Sequence, residues 1–329
     1  MHRVKWGVMG VAKIAMEKVI PAMQSGKQCT IIAVASRDAQ KAQAAAAKLK
    51  IPKFYGSYEA LLADPEIEAV YNPLPNHLHV PWSVQALQAG KHVLCEKPLA
   101  LNAAEAENLL AASRQCSHLK IMEAFMYRFH PQWREAKRLL TAGKIGELRT
   151  IHTFFSYYND DPANVRNQPK IGGGGLLDIG CYAISLSRWL FETEPQRVCG
   201  QRTLHPQYGV DVAAHGILHF ANGTASFTVG TLMQPYQRVL IFGTHGSIEI
   251  EIPFNAPPDR PTRLRLRTGS QVQEITFPIC NQYTLQGDAF SRAILENLPV
   301  PTPLEDAVAN MRVIDAVLRS PQANKWIEI

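Results

Sequence analysis

The order of apolar and polar positions divides the chain into two styles. Over residues 1–122, short apolar runs at 4–9, 31–35, 69–72, 93–95 and 120–122 read as buried strands. Between them, residues 39–49, 58–62, 81–89 and 103–113 are alanine- or leucine-containing stretches with helical spacing. Regular alternation of this kind predicts an α/β domain built on a doubly wound, mostly parallel Rossmann sheet. From residue 123 onward the pattern changes. A helix is predicted over 132–142, followed by alternating, β-branched runs at 148–158, 197–204, 213–220, 225–232, 238–242 and 247–252. Turns such as Ala221-Asn222-Gly223 and Thr244-His245-Gly246 separate several of them. Residues 123–329 are therefore expected to form an α+β domain with a large, mostly antiparallel open sheet, closed by helices over 285–297 and 304–318. An open sheet face of that size predicts a homodimer or higher homo-oligomer.

Composition narrows the class. A chain of 329 residues, 46% hydrophobic, is long enough for two cores. No apolar run approaches a membrane span, and strand-like sequence starts at Val4, so a cytoplasmic protein without membrane or secretory signal is expected. The cysteines at 29, 95, 116, 181, 199 and 280 form no CxxC pair and read as reduced thiols. A net charge of +6 suits an anionic ligand such as a phosphorylated cofactor. The basic residues are dispersed, which argues against nucleic acid.

Candidate chemistry sits where the predicted strands end. Gly10-Val11-Ala12-Lys13-Ile14-Ala15 follows the first strand as a G-x-A-x-x-A form of the dinucleotide turn, with a pyrophosphate expected at the N-terminus of the helix starting near Lys13. The second strand ends in Ser36-Arg37, where an NAD-binding domain usually carries a carboxylate. A hydroxyl and a guanidinium favour the 2′-phosphate of NADP, with NAD as the alternative. Asp38 reads as a helix cap. After residue 72, Leu74, Pro75, Asn76 and His79 are expected in a loop beside the cofactor. His77 and His79 have neither helical ligand spacing nor a nearby acid, so no metal is expected. Glu96-Lys97-Pro98 ends the 93–95 run; Pro98 stops a strand and puts Lys97 at the carboxyl edge, although a plain Glu-Lys pair closing a strand would look the same. Finally, Gly172 to Gly175 precede Asp178 and Tyr182, four apart and on one face of a predicted helix. A first-turn helix charge and a half-buried aromatic would read identically.

Taken together, Gly10-x-Ala12-x-x-Ala15, Glu96-Lys97-Pro98, the run from Glu123 to Pro131 and the run from Gly173 to Tyr182 resemble the Gfo/Idh/MocA oxidoreductase family across nearly the whole chain. Within it, the chain is most similar to the NADP-dependent D-xylose dehydrogenase and dimeric dihydrodiol dehydrogenase branch, on the evidence of Tyr182 and Arg166. The resemblance implies a catalytic Lys97 near the nicotinamide, with a cis Lys97-Pro98 bond. It also implies Tyr182 as general acid/base, Asp178 positioning substrate or Lys97, and Arg166 meeting cofactor or substrate. Ala12 stands where the family often has glycine. The chemistry is coherent: a tyrosine with a pKa near 10 is a poor base at neutral pH, and a neighbouring ammonium favours its phenolate. Glu96 would hold the lysine. The implied activity is hydride transfer between NADP and a carbinol or carbonyl carbon of a sugar, polyol or cyclic diol. The alternatives are a sugar oxidoreductase with tightly held cofactor, of the glucose-fructose type, and a non-catalytic NAD(P)-binding regulator.

Overall fold

The computed structural model describes residues 2–329, which form two units. Residues 2–126 and 281–308 make the first, and residues 127–280 and 309–329 the second.

The first unit is organised by a six-stranded parallel sheet: β1 (Val4–Met9), β2 (Cys29–Ala35), β3 (Lys53–Tyr55), β4 (Ala69–Asn72), β5 (His92–Cys95) and β6 (Ile121–Glu123). Their order is β3-β2-β1-β4-β5-β6, so the direction of winding reverses beside β1. In such sheets ligands bind at the carboxyl edge of that reversal. The central strands are covered on both faces, which explains their near-continuous apolar sequence: β4 is buried at all four positions. Helices α1 (Ile20–Gln24), α2 (Ala39–Leu49), α3 (Tyr58–Leu62), α4 (His79–Gln88) and α5 (Ala103–Gln115) connect the strands. Asp38, Ser57 and Asn102 cap α2, α3 and α5 by accepting a backbone N–H three residues on.

The sequence pattern ends this domain at residue 122, whereas the compact unit runs through Met126 and also takes up residues 281–308. The reason lies in packing. Helix α8 (Gln282–Leu295) brings Phe290 against Trp6, with ring centroids 5.7 Å apart, and Ser291 accepts the Trp6 indole N–H at 3.1 Å. Asp288 accepts the backbone N–H of Gln28 at 2.8 Å, ahead of β2.

The second unit carries a nine-stranded sheet. Its strands are β7 (Leu148–Tyr158), β8 (Arg197–Leu204), β9 (Asp211–Phe220), β10 (Gly223–Gly230), β11 (Leu232–Gly243), β12 (Gly246–Ile250), β13 (Thr262–Thr268), β14 (Gln271–Phe277) and β15 (Ile327–Glu328). The order is β14-β13-β12-β11-β7-β10-β9-β8-β15, antiparallel throughout except for the β7–β10 pair. Alternation along β7 sorts the two faces. Ile151, Thr153 and Phe155 are buried, while His152 and Phe154 point outward. Helices α6 (Pro131–Thr141) and α7 (Cys181–Phe191) and most of α9 (Leu304–Ala323) belong to this unit. Among the described residues, no helix is long and apolar enough to cross a membrane.

Candidate active site

At the carboxyl edge of the parallel sheet, the chain leaves β1 through Gly10, whose φ of +102° suits glycine. Its N–H donates to the Ala35 carbonyl at 2.8 Å, and a Cβ there would meet Leu74 Cδ2 at 3.0 Å. Val11 and Ala12 are non-helical, and helical backbone starts at Lys13 and Ile14. It widens to a π-helix over Ala15–Val19 before α1. The first N–H groups of such a helix have no partner within it and attract an anion. Buried Ala15 lets the helix lie close to the sheet. These features fit a dinucleotide pyrophosphate, and Ala12 leaves the turn intact.

Beside this turn, β2 ends in buried Ser36, whose hydroxyl accepts the Asp38 N–H at 3.2 Å, and in exposed Arg37. Asp38 is engaged as the α2 cap, accepting Lys41 N–H at 3.1 Å. Arg37 interacts electrostatically with Tyr58, a neighbour that sequence reasoning missed. The edge therefore presents a hydroxyl and a guanidinium.

Past β4, fully buried Asn72 shapes the loop. It accepts the Leu74 N–H at 3.3 Å and donates to the His79 carbonyl at 3.1 Å and Ser83 Oγ at 3.2 Å. Pro75 and Asn76 follow, and Asn76–Leu78 form a single 3-10 turn. His79 is buried, with both ring nitrogens directed at backbone carbonyls.

The half-buried Lys97 lies just beyond β5, and the Lys97-Pro98 peptide is cis. Its turn is held by side chains from other strands. Glu96 accepts the hydroxyl of buried Tyr71 at 2.6 Å and the Lys97 N–H at 3.3 Å. Glu123, buried at the end of β6, accepts the Leu99 N–H at 2.7 Å. Burial first, and the Glu96 carboxylate second, hold the Tyr71 phenol far above its ordinary range, so it remains a donor.

The second unit assembles its own group of candidates. Gly174 has φ +120°, and a Cβ there would overlap the Asp211 carboxylate. Asp211, buried at the start of β9, accepts the Leu176 N–H at 2.6 Å and so caps the segment that follows. That segment, Leu176–Gly180, is a π-helix rather than the α-helix expected from the spacing, and it runs on into α7. π-turns inside helices are frequent at functional positions. Asp178 projects from it. Its Oδ2 accepts the Tyr157 hydroxyl at 2.6 Å and pairs with Arg166 Nε at 2.9 Å. The Tyr157 phenol is pushed far above its usual range by burial and then by Asp178, so Tyr157 is a fixed donor and not a base. Arg166 is held charged chiefly by Asp178 and interacts electrostatically with Tyr182 as well.

Tyr182 is 5% exposed. Its ring packs against Phe254 at 5.1 Å, Tyr127 at 5.8 Å and Phe155 at 5.9 Å. This aromatic wall fixes the ring, while Ser185, one turn along α7, contacts Tyr127 Oη at 3.0 Å and accepts from Arg128 Nη2 at 2.7 Å. Phe155 and Tyr157 are two residues apart on β7 and share its inner face, a pairing the alternation of that strand announces. Asp211 carried no comparable local signal. Among the described residues, no group of three or more His, Cys, Asp or Glu side chains could hold a metal.

Residues 4–124 match the oxidoreductase family with an NAD-binding Rossmann fold, and residues 133–249 match the GFO/IDH/MocA C-terminal domain. An uncharacterized oxidoreductase of Rhizobium meliloti is 43% identical over 99% of both chains. The NADP(+) D-xylose 1-dehydrogenase 2 of Haloferax volcanii is 38% identical, over 98% of this chain and 99% of its own. The trans-1,2-dihydrobenzene-1,2-diol dehydrogenase of Xenopus tropicalis is 36% identical over 75% of this chain and 74% of its own. Among solved structures, a 3-ketoreductase from Actinomadura kijaniata in complex with NADP and TDP-benzene aligns with a TM-score of 0.90 at 30% identity, covering 97% and 98% of the two chains. The chain belongs to the GFO/IDH/MocA oxidoreductase family and carries its NAD(P)-binding Rossmann domain.

Proposed function

We propose that the chain is an NADP-dependent dehydrogenase or reductase acting on a CH–OH or carbonyl carbon of a sugar, polyol or cyclic diol. The observation that carries the cofactor half is the Ser36–Arg37 edge, where Asp38 is already engaged as a helix cap. A guanidinium there complements a 2′-phosphate. The D-xylose 1-dehydrogenase, the dihydrodiol dehydrogenase and the 3-ketoreductase support a CH–OH or carbonyl carbon of a sugar or diol as the reacting centre.

When bound, the nicotinamide supplies the hydride chemistry; the protein supplies orientation and the proton path. In this reading Gly10 to Ile14 hold the pyrophosphate, Leu74 to Asn76 and Glu96 border the cofactor, and Lys97 is the catalytic lysine. Tyr182 exchanges the substrate hydroxyl proton. Asp178, fixed by Tyr157 and Arg166, orients the substrate. A regulator that only sensed the nucleotide would need neither the lysine nor the tyrosine.

The outer sheet face supports self-association. Phe154, Ile217, Tyr236 and Phe242 are exposed on strands β7, β9 and β11, and the first three line a depression together with His152, Thr228 and Leu240. Exposed aromatic and aliphatic side chains on an open sheet face suit a second copy of the chain.

A screen of aldoses, polyols, trans-dihydrodiols and keto-sugars, followed at the NADPH absorbance with NAD(H) in parallel, tests the function. Turnover with NADP and one of these classes supports it. Absence of turnover with all of them, by protein that binds NADPH, favours the regulator. Cofactor absorbance that survives extensive dialysis would favour a tightly held cofactor.

A further inference from the structure

The Leu74 loop and the Lys97 turn are separate in sequence, yet one side chain spans them. His79, 1% exposed at the first turn of α4, places Nε2 2.6 Å from the Leu74 carbonyl oxygen and Nδ1 2.8 Å from the Pro98 carbonyl oxygen. Its own carbonyl accepts from Asn72, so its backbone is held at the end of β4 as well. We propose that His79 is a positioning residue that ties the cofactor-bordering loop to the lysine turn, rather than a group that touches the cofactor. This rests on the assignment of Lys97 made above.

The geometry carries the argument. With both nitrogens engaged and the ring enclosed, His79 has no polar atom left for a ligand. The two carbonyls belong to Leu74, which borders Gly10, and to Pro98, the residue after Lys97. Displacing either carbonyl therefore moves a segment assigned to the cofactor. A neutral imidazole has one N–H and can donate to one of these oxygens; the imidazolium can donate to both. Burial opposes the charged ring and pushes its pKa down to about 4, and Lys97 and His77 add to that, while the two carbonyls pull it back. In either state the ring lies between the two segments, and no aliphatic side chain reproduces its donor.

The test is a double-mutant cycle on NADPH binding, read by fluorescence titration, with folding checked by circular dichroism. His79→Leu removes the donor, His79→Gln returns an amide donor, and Lys97→Ala removes the lysine. The proposal expects His79→Leu to raise the NADPH dissociation constant roughly tenfold, as for loss of one buried hydrogen bond, and His79→Gln to recover most of that. It also expects the effect of His79→Leu to shrink in the Lys97→Ala background, as for coupled residues. Single effects that multiply without coupling, or a folded His79→Leu protein that binds NADPH as the wild type does, would overturn it. If His79→Leu fails to fold, His79→Asn, whose shorter amide cannot span both carbonyls, takes its place in the same cycle. If Lys97→Ala changes neither binding nor turnover, the lysine assignment itself has failed, which is a distinct result.

Discussion

Asp178 receives the phenol of Tyr157 on the same carboxylate oxygen that pairs with Arg166. One donor comes from the middle of the sheet and the other from the loop before the glycine cluster, so the carboxylate is fixed from two directions. Loss of a hydrogen bond to a charged group costs about 1.5–3 kcal/mol. Tyr157→Phe is therefore expected to lower kcat/KM by roughly 10- to 100-fold. Because the Tyr157 phenol is held protonated, the pH dependence of kcat/KM should keep its shape. Steady-state kinetics across pH check both points. A changed basic limb would make Tyr157, not Tyr182, the titrating phenol.

Asp211 does for the backbone what Tyr157 does for the carboxylate. It accepts the Leu176 N–H from a buried position beside Gly174. Asp211→Ala leaves that N–H without its acceptor and should destabilise the protein by about 1–3 kcal/mol. Gly174→Ala forces both a strained φ and an overlap with Asp211, and should be worse. Denaturant melts of the two variants measure this. Equal stability of wild type and Asp211→Ala would remove the clamp from the account.

Besides His79, the buried His130 and the half-buried His92 make stability depend on acid. His92 Nδ1 accepts the Lys120 N–H at 2.8 Å, and His130 Nδ1 accepts the Gln132 N–H at 3.2 Å as the cap of α6. Burial pushes each down to about 4, from an unfolded value near 6.5. Between those values the unfolded chain binds more protons, so stability is fully present above pH 6.5 and falls as pH drops towards 4. Melting temperature measured over that range should decline, and His130→Asn, which keeps a capping oxygen without titrating, should flatten part of the slope. A flat profile in the wild type would contradict this.

The sequence made the parallel sheet legible because buried strands are short apolar runs, and β1 and β4 fall where those runs lie. Strand β3 escaped because three residues with no fully buried position carry no pattern. Strands β13 and β14, at one end of the sheet, escaped because β13 alternates Leu with Arg and β14 is mostly polar, and their charged sides pair with each other. The first half of β11 was hidden by Pro235 and by the register shift between Leu232 and Tyr236. Within the site, motif residues were readable because local chain geometry demands them: glycine at a positive φ, proline after a strand. The partners of Tyr71, Glu123, Tyr157 and Asp211 were not, since each lies at least 21 residues away, and such pairings exist only once the strands are in register.

The outer sheet face gives a prediction independent of chemistry. Phe154→Glu or Tyr236→Glu puts charge in the middle of the exposed aromatic pair, whose rings lie 5.6 Å apart. Sedimentation of the wild type should show a dimer or larger assembly, and each variant should shift towards monomer. A monomeric wild type would refute the assignment of that face.

The reading of Ser36 and Arg37 is equally exposed to test. Ser36→Asp combined with Arg37→Ala introduces a carboxylate and removes the guanidinium from its place beside Tyr58. The ratio of NADP to NAD in kcat/KM should fall by at least about tenfold, the scale of one lost charge-assisted contact. An unchanged ratio would leave cofactor choice unexplained.

The central claim is that Tyr182 moves the substrate proton while Lys97 supports the reacting centre. General acid–base help is worth roughly 100- to 10,000-fold. The most direct measurement is single-turnover NADP reduction by wild type, Tyr182→Phe and Lys97→Ala on the substrate that the screen identifies. The account predicts a loss on that scale for both variants, with NADPH still bound by Tyr182→Phe. A Tyr182→Phe rate constant within about threefold of wild type, far short of that scale, would contradict it.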